Sequence, residues 1–415
     1  MASSKTVKIT RQDLRDLKTP PEAFITGIKN LSSYNWVESP IPTIAVPGSP
    51  DLWSPPKGPC EVQKDSGHIY IAQNAARHPE SPLEPLFRAI YITDPSFDMR
   101  SVDLITDRNN IRKLLSVINP KSSKNGLENF TINVEVAGTT IILARDETKV
   151  EEIIGPNEFK GYGHEFEKKY TKTQLSGSTG HHRIISYRFS NMHFIIRHET
   201  DGFVNTKSKS PPPPADPQAE GHEALLDVLS SLSLSPEENV KVVTMQGSKL
   251  RIRKQGSVVA RESTLEIKTR VAKKPIFFDE IATQLWLSQT PKLVRAYHTR
   301  GVFQEPVVED AAGDIKKWER VNQTHLRKLA ALIAEIFRVS REMGGRMRIE
   351  YNQVTDAFVI QKCDGKKMLP EDLYSHWEDA KVGLDVQKTK PATDPATEPS
   401  EEGKDAVKDT KPVPV

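Results

Sequence analysis

The sequence predicts a mixed α+β fold in which strands and helices alternate along most of the chain. Two pairs of β-rich segments, at 130–145 and 184–204, each surround a short turn and therefore predict hairpins. A third segment, 318–343, has the apolar spacing of an amphipathic helix that ends at Gly344–Gly345. Its apolar face comprises Leu326, Leu329, Ala330, Ile333, Ile336 and Phe337. This alternation favours a mixed sheet flanked by helices.

The remaining elements follow from local composition. Residues 1–20 are polar and are predicted to be disordered. Residues 30–60 are rich in Pro, Gly and Ser and are predicted to cover the core irregularly. Segment 101–118 is predicted to be a strand end that leads into a short helix. Further strands are predicted at 241–254, 257–270, 292–298 and 346–362, and further helices at 158–172 and 277–289.

Two breaks in composition define the predicted domain. The run SPPPPADPQ, within 205–240, has no helix or strand pattern, so this segment is predicted to be an insertion looped out of the domain. Residues 381–415 are rich in Lys, Glu, Pro and Thr, which predicts a disordered tail. One domain at 21–380 is therefore expected.

Cysteine content and hydropathy limit the cellular context. The chain has only two cysteines, Cys60 and Cys363, which excludes a disulfide scaffold and favours the nucleus or the cytoplasm. No stretch approaches the roughly 18 apolar residues of a membrane-spanning helix. The net charge of +3 decides nothing about nucleic-acid binding, because in a nucleic-acid-binding protein the charge of an acidic metal site can offset that of a basic channel. No Ser-His-Asp triad, Walker loop or GxGxxG motif is recognisable.

Two short strings carry the residues that predict chemistry, HETDGF at 198–203 and LEIKTR at 265–270. Side chains alternate across a strand, so Glu199 and Asp201 share a face, and so do Glu266 and Lys268. Neighbouring strands of one sheet would then present three carboxylates and one ammonium together. Because like charges repel, such a cluster predicts a bound Mg²⁺ or Mn²⁺ ion.

This cluster has the composition of a metal-assisted phosphodiester hydrolase. Lys268 would then face the scissile phosphate or the attacking water, and Gln284 on the following helix would help to position it. Three histidines near the cluster are given no catalytic role. His181 and His182 point to opposite strand faces and are interpreted as structural or solvated, and His198 is interpreted as core packing.

The order of motifs resembles the DXO/Rai-type decapping nucleases of the PD-(D/E)XK superfamily. Each motif of that family is matched here, in order, over about half of the chain. The matching segments are DLITDRNNIRKLL with Arg108, the hairpin FTINVEVAGTTIIL, GHEFE ending at Glu167, Glu199–Thr200–Asp201, Glu266–Ile267–Lys268, and the Gln284-bearing segment QLWLSQTPKLVRAYHTRGVF. The resemblance implies a PD-(D/E)XK nuclease-like mixed β-sheet flanked by helices.

The resemblance also implies roles for these positions. The implied metal ligands are Glu167, Glu199, Asp201, Glu266 and the backbone carbonyl of Ile267. Lys268, Gln284 and Glu266 are the implied catalytic residues, and Arg108 is the implied RNA-phosphate ligand. The family removes incomplete or atypical 5′ caps, including NAD-type ends, hydrolyses 5′ triphosphates and often degrades RNA from 5′ to 3′. Some members bind a larger exonuclease, so RNA 5′ ends and such an exonuclease are the expected partners.

Two alternatives stay open at the level of sequence. One is a DNA-directed nuclease on the same fold, which substrate preference would distinguish. The other is a catalytically inactive module that only binds RNA or a partner, which metal-binding calorimetry would distinguish.

Overall fold

Two large β-sheets and the helices packed on them organise the protein. The computed structural model describes residues 6–123, 126–205, 242–245 and 247–378. The predicted tail and all but the first residue of the predicted insertion lie outside these ranges, so both stay predictions. The described residues up to Glu378 form one compact unit.

The described part of the chain contains twenty-two strands in three sheets. The strands are β1 (Thr6–Thr10), β2 (Ile25–Val37), β3 (Thr43–Gly48), β4 (Leu52–Trp53), β5 (Cys60–Glu61), β6 (Gly67–Tyr70), β7 (Leu104–Asp107), β8 (Phe130–Ala137), β9 (Thr140–Asp146), β10 (Glu151–Ile154), β11 (Thr171–Lys172), β12 (Ser178–Phe189), β13 (Met192–Glu199), β14 (Gly202–Phe203), β15 (Val242–Thr244), β16 (Arg251–Gly256), β17 (Thr264–Val271), β18 (Lys292–Thr299), β19 (Val302–Phe303), β20 (Val308–Asp310), β21 (Arg346–Asn352) and β22 (Ala357–Lys362).

The largest sheet has twelve strands in the order β1-β22-β21-β8-β9-β7-β13-β12-β2-β3-β16-β15. It is mixed, because β7 lies parallel to both β9 and β13 whereas the flanking hairpins are antiparallel. The second sheet follows the order β11-β4-β14-β17-β18-β19-β5, with β20 also paired to β18. β6 and β10 form a separate pair. The predicted α+β class with a mixed sheet is therefore confirmed.

Nine α-helices accompany the sheets in the described part. They are α1 (Arg11–Asp16), α2 (Gln73–Arg77), α3 (Glu84–Thr93), α4 (Arg108–Ile118), α5 (Gly163–Tyr170), α6 (Phe278–Ser288), α7 (Ala312–Val321), α8 (Gln323–Met343) and α9 (Glu371–Tyr374). Among the described helices, none is long and apolar enough to cross a lipid bilayer.

The helix predicted at 318–343 consists of two helices, because Asn322 separates α7 from α8. Every residue of the predicted apolar face is buried in α8, and Gly344, with φ of +64°, follows its last turn. This face packs with α4 and α6 in the largest apolar cluster, over one side of the twelve-stranded sheet. Both predicted hairpins are confirmed as β8–β9 and β12–β13.

The prediction that residues 1–20 are disordered is wrong for residues 6–16. β1 pairs with β22 along its whole length, and α1 follows at once. Thr10 and Asp13 form a capping box at the start of α1, and Ile9 and Leu14 are buried. A polar composition hid this segment, because only two of its side chains enter the core.

The prediction of an irregular covering at 30–60 is also wrong for much of its length. β2 pairs with β12 from Ile25 to Val37, and β3 pairs with β2 and β16. Buried polar side chains of β2 form hydrogen bonds with neighbouring strands, loops and helices. For example, Asn35 donates to the carbonyl of Ser49 at 2.9 Å. Long-range pairing therefore decides the conformation of a segment with weak local strand preference.

Candidate metal centre

The predicted acidic strings meet at the junction of the two large sheets. Glu199 is the last residue of β13 in the twelve-stranded sheet, and β14 begins three residues later in the other sheet. β14 pairs antiparallel with β17, so that Gly202 lies opposite Leu265. The expectation that both strings occupy neighbouring strands of one sheet is thus wrong for Glu199. The chain changes sheets between Glu199 and Asp201.

A close backbone approach makes this change of sheet possible. A Cβ atom on Gly202 would come within 2.8 Å of the carbonyl oxygen of Asp51, so glycine is required there. Just before it, Oδ2 of Asp201 accepts a hydrogen bond of 2.7 Å from the backbone nitrogen of Ile267. That bond aligns the first acidic string with the middle of β17.

Glu266 is the buried centre of the cluster, with only 1% of its surface exposed. Lys268 and Gln284 both donate hydrogen bonds to its Oε1 atom. Nη1 of Arg108 lies 3.4 Å from its Oε2 atom. Burial alone would raise the pKa of Glu266, but the charges of Lys268 and Arg108 hold it below the usual value. Glu266 is therefore ionised and binds the surrounding donors.

The other carboxylates of the cluster are electrostatically unfavourable. Burial, followed by the charge of Asp201, raises the pKa of Glu167 well above its usual value. Burial and the charge of Glu266 raise the pKa of Asp201 to about 7. Burial and the charge of Glu266 raise the pKa of Glu199 too. Among the described residues, the side chains of Glu167 and Glu199 have no hydrogen bond or ion pair.

This donor set fits a hard divalent cation by its chemistry. Four carboxylates interact through their charges, and two of them lack a donor from the described protein, so a cation would relieve their mutual repulsion. In the described residues, no three such side chains already stand in a closed ligand arrangement. Protein donors occupy both oxygens of Glu266. The carbonyl of Ile267 likewise accepts a hydrogen bond of 3.1 Å from Lys268.

A distant carboxylate, Asp65, positions the helix that carries Glu167. The residue before α5, Tyr162, provides no side-chain cap. Instead, the buried side chain of Asp65 accepts hydrogen bonds from the backbone nitrogens of Gly163 at 2.9 Å and Glu165 at 3.0 Å. These are unsatisfied donors of a helix N-terminus, so Asp65 caps α5 from elsewhere in the chain.

The opposite side of α5 is fixed by apolar packing. Phe166 and Tyr170 are buried against Leu265 and Ile267, which point away from the acidic side of β17. With the cap at one end and this packing along its length, α5 holds Glu167 toward the cluster. Sequence reasoning missed Asp65, which follows no motif and lies 98 residues before Gly163.

A buried ion pair anchors the start of α4. β7 ends at Asp107, whose carboxylate accepts two hydrogen bonds from Arg197, at 2.7 and 3.0 Å. α4 begins at the next residue, so this pair fixes the point from which Arg108 reaches Glu266. One turn further along α4, Arg112 is near enough for its charge to act on Glu266. Sequence reasoning did not identify Arg112, although its spacing of four residues from Arg108 was a usable signal.

All predicted site residues therefore belong to one region. Arg108, Lys268 and Gln284 bind Glu266 directly, Asp201 binds the backbone of Ile267, and Glu167 and Glu199 interact through charge. The histidines contribute no side chain to it. His181, His182 and His198 are buried, and their burial lowers the pKa of each imidazole.

The fold is that of the Rai1 proteins, which belong to the group that the sequence resembles. Rai1 of Candida albicans, in complex with pU5-Mn²⁺, aligns with a TM-score of 0.53 and 11% identity, covering 90% of this chain and 99% of that one. A triple mutant of S. pombe Rai1, in complex with 3′-FADP, aligns with a TM-score of 0.51 and 10% identity. The alignment covers 86% of this chain and 100% of that one. Rai1 of Scheffersomyces stipitis aligns with a TM-score of 0.50 and 12% identity, covering 91% of this chain and 98% of that one.

At these identities the similarity establishes the fold alone, and it confirms the predicted resemblance at that level. No curated protein matches the sequence significantly. The chain belongs to the family described as "Domain of unknown function (DUF8563)", whose model matches residues 4–377.

Proposed function

We propose that this protein is a metal-dependent hydrolase that acts on RNA 5′ ends, removing atypical caps or 5′ pyrophosphate and extending to 5′–3′ exonuclease activity. The observation that carries the proposal is the arrangement around Glu266. A buried ionised carboxylate binds Arg108, Lys268 and Gln284, and three further carboxylates adjoin it. The complex of C. albicans Rai1 with pU5-Mn²⁺ supports the choice of metal and substrate class.

The proposed metal ligands are Glu167, Glu199, Asp201, Glu266 and the carbonyl of Ile267. A bound Mg²⁺ or Mn²⁺ would polarise the phosphate and lower the pKa of a coordinated water. Glu266 and the carbonyl of Ile267 now accept hydrogen bonds from Lys268 and Gln284. If these oxygens held the ion instead, Lys268 and Gln284 would be free to bind the substrate.

The remaining side chains bind and orient the substrate. The ammonium of Lys268, once free of Glu266, would neutralise charge that develops on the scissile phosphate. The amide of Gln284 would donate one hydrogen bond to the attacking water, or accept one from it, and so orient that water. Arg108 binds the same phosphate from α4 through its planar guanidinium. Binding of a larger exonuclease, and a nuclear or cytoplasmic location, stay predictions from the resemblance.

A catalytically inactive binding module is the second candidate, and one observation favours it. Three donors already bind the two oxygens of Glu266, which is a stable arrangement without any metal. Metal binding separates the two candidates, because only the hydrolase must exchange these donors for a cation. Isothermal calorimetry with Mn²⁺ would show saturable binding to the hydrolase and none to the inactive module.

The decisive experiment is 5′-end release. The full chain would be incubated with Mn²⁺, Mg²⁺ or EDTA and with RNAs that carry a 5′ monophosphate, triphosphate, unmethylated cap or NAD end, beside a DNA of equal length. Glu266→Gln tests the site, and Glu135→Gln is the matched control. Glu135 is also a buried carboxylate, but it accepts hydrogen bonds from Tyr374 and the backbone of Met368 and lies 4.0 Å from Arg346.

We expect metal-dependent product from the wild type and from Glu135→Gln, and none from Glu266→Gln. A preference for DNA would favour the DNA-directed nuclease on the same fold. Inert wild-type protein on every RNA and on DNA would refute the hydrolase.

A further inference from the structure

Two arginines of α4 lie one helical turn apart beside the acidic cluster. Arg108 and Arg112 are four residues apart, which places them on the same face of the helix, about 6 Å apart along its axis. Arg108 is anchored to Glu266 at 3.4 Å. Arg112 lies one turn further along the same face of α4 and extends this row of positive charge.

Arg112 differs from the neighbouring cations in having no ion-pair partner within the described part of the chain. Lys113 and Arg145 both bind Glu147, at 2.7 and 3.1 Å. Arg112 is exposed, and it has no hydrogen bond or ion pair with any described residue.

For Arg112, repulsion by Arg108 outweighs attraction by Glu266, so a bound anion would be favourable there. Like charges at this spacing repel each other on a helix. The guanidinium group also matches phosphate oxygens in a bidentate geometry, which makes it a preferred phosphate ligand. In the proposed function, Arg108 binds the scissile phosphate. The next phosphoryl group of the substrate would then lie within reach of Arg112.

We propose that Arg112 binds a second phosphoryl group, adjacent to the scissile one, and that the site therefore selects substrates with two consecutive phosphoryl groups. This inference rests on the proposed function and specifies its substrate. Two sources share this chemistry, the pyrophosphate of a 5′ end and the first phosphodiester of the RNA backbone. Binding experiments with small competitors distinguish them.

The test uses competition against a fluorescent 5′-phosphorylated pentauridylate in the presence of Ca²⁺, with the probe checked for cleavage. Four competitors are compared. UMP and 5′-hydroxyl UpU carry one phosphoryl group, whereas UDP carries a pyrophosphate and pUpU carries two groups separated by a nucleoside. The variant is Arg112→Gln. The matched control is Arg320→Gln, an exposed helical arginine of α7 that has no ion pair among the described residues.

We expect Arg112→Gln to lower the affinity for UDP or pUpU by about tenfold or more, because a charge-assisted hydrogen bond is lost. UMP and UpU should keep their affinities, and Arg320→Gln should match the wild type throughout. A loss confined to UDP assigns the second group to a 5′ pyrophosphate, and a loss confined to pUpU assigns it to the backbone. Either result supports the proposal.

Equal affinities for wild type and Arg112→Gln, or an equal loss for all four competitors, would overturn the role of Arg112. In that case a wild type that still cleaves RNA with Mn²⁺ would leave the proposed hydrolase intact. A wild type that neither binds the pentauridylate nor cleaves any RNA would refute both.

Discussion

Asp201 and Ile267 are joined by a hydrogen bond of 2.7 Å, from the backbone nitrogen of Ile267 to Oδ2 of Asp201. This bond connects the loop that leaves β13 to the middle of β17. It gives Asp201 a structural role that is independent of any metal. The structural role and the proposed metal-binding role of Asp201 are therefore separable by substitution.

Asp201→Asn should separate these two roles. The amide oxygen of asparagine accepts the same hydrogen bond, so the free energy of unfolding should stay within about 1 kcal/mol of the wild type. Loss of the charge should lower metal-dependent RNA cleavage by at least about 100-fold. Urea unfolding measures the stability, and 5′-end release measures the cleavage. Asp201→Ala should lose both stability and cleavage. A wild-type rate in Asp201→Asn would remove Asp201 from the proposed ligand set.

The local part of this site was predictable from sequence, whereas its assembly was not. The alternation in 265–270 placed Glu266 and Lys268 on one face, because strand periodicity depends only on neighbouring residues. The change of sheet between Glu199 and Asp201 depends on the approach of Asp51 to Gly202, which no local pattern records. In the same way, β2 becomes a strand only through its pairing with β12.

Glu167→Gln should stabilise the metal-free protein. Burial and Asp201 raise the pKa of Glu167, so above the unfolded pKa the folded state must either keep a proton that the unfolded chain releases or hold an unfavourable charge. A raised folded pKa reduces stability as pH rises above the unfolded value of about 4.3, so the advantage of glutamine should grow over that range. Thermal unfolding in EDTA measures it.

Addition of Mn²⁺ should reverse this order. The wild type should gain more in unfolding temperature than Glu167→Gln, because a ligand stabilises the state that binds it more tightly. Glu165→Gln is the control on the same helix, since the carboxylate of Glu165 binds Lys168 at the surface. If Glu167→Gln were the less stable protein in EDTA, the unfavourable charge would be excluded.

Asp65→Ala should weaken metal binding without contact between Asp65 and the metal. The substitution removes both hydrogen bonds at the start of α5 and should cost about 1–2 kcal/mol of stability. It also loosens the helix that carries Glu167, so calorimetry should show a higher dissociation constant for Mn²⁺. Asp65→Asn keeps one acceptor and should fall between alanine and the wild type.

Thr10→Ala is the control for a purely structural effect of the cap. Thr10 caps α1 by the same kind of side-chain hydrogen bond, so the substitution should cost the protein a comparable amount of stability. We expect its affinity for Mn²⁺ to equal that of the wild type. If Asp65→Ala also bound Mn²⁺ with unchanged affinity, Asp65 would stabilise the fold only.

His182 should make the fold sensitive to acid. Burial, and then the charge of Arg197, lowers the pKa of His182 to about 3, and its Nε2 atom lies 2.9 Å from Oε1 of Gln73. The unfolded chain binds a proton near pH 6.5, whereas the folded state does not. Stability is therefore complete above about pH 6.5 and falls as pH decreases, by up to about 1.4 kcal/mol per pH unit for this imidazole.

His182→Gln should remove this contribution to the pH dependence. Urea unfolding between pH 5 and 8 should show a shallower slope for the variant than for the wild type, even if the variant is less stable at pH 8. His68→Gln should keep the wild-type slope, because His68 is exposed and pairs with Glu151 at the surface. The comparison of slopes isolates His182, since the carboxylates with raised pKa act equally in all three proteins. Identical slopes for His182→Gln and the wild type would mean that His182 is protonated within the fold, and the buried strand β12 would then have to accommodate a charged imidazole beside Arg197.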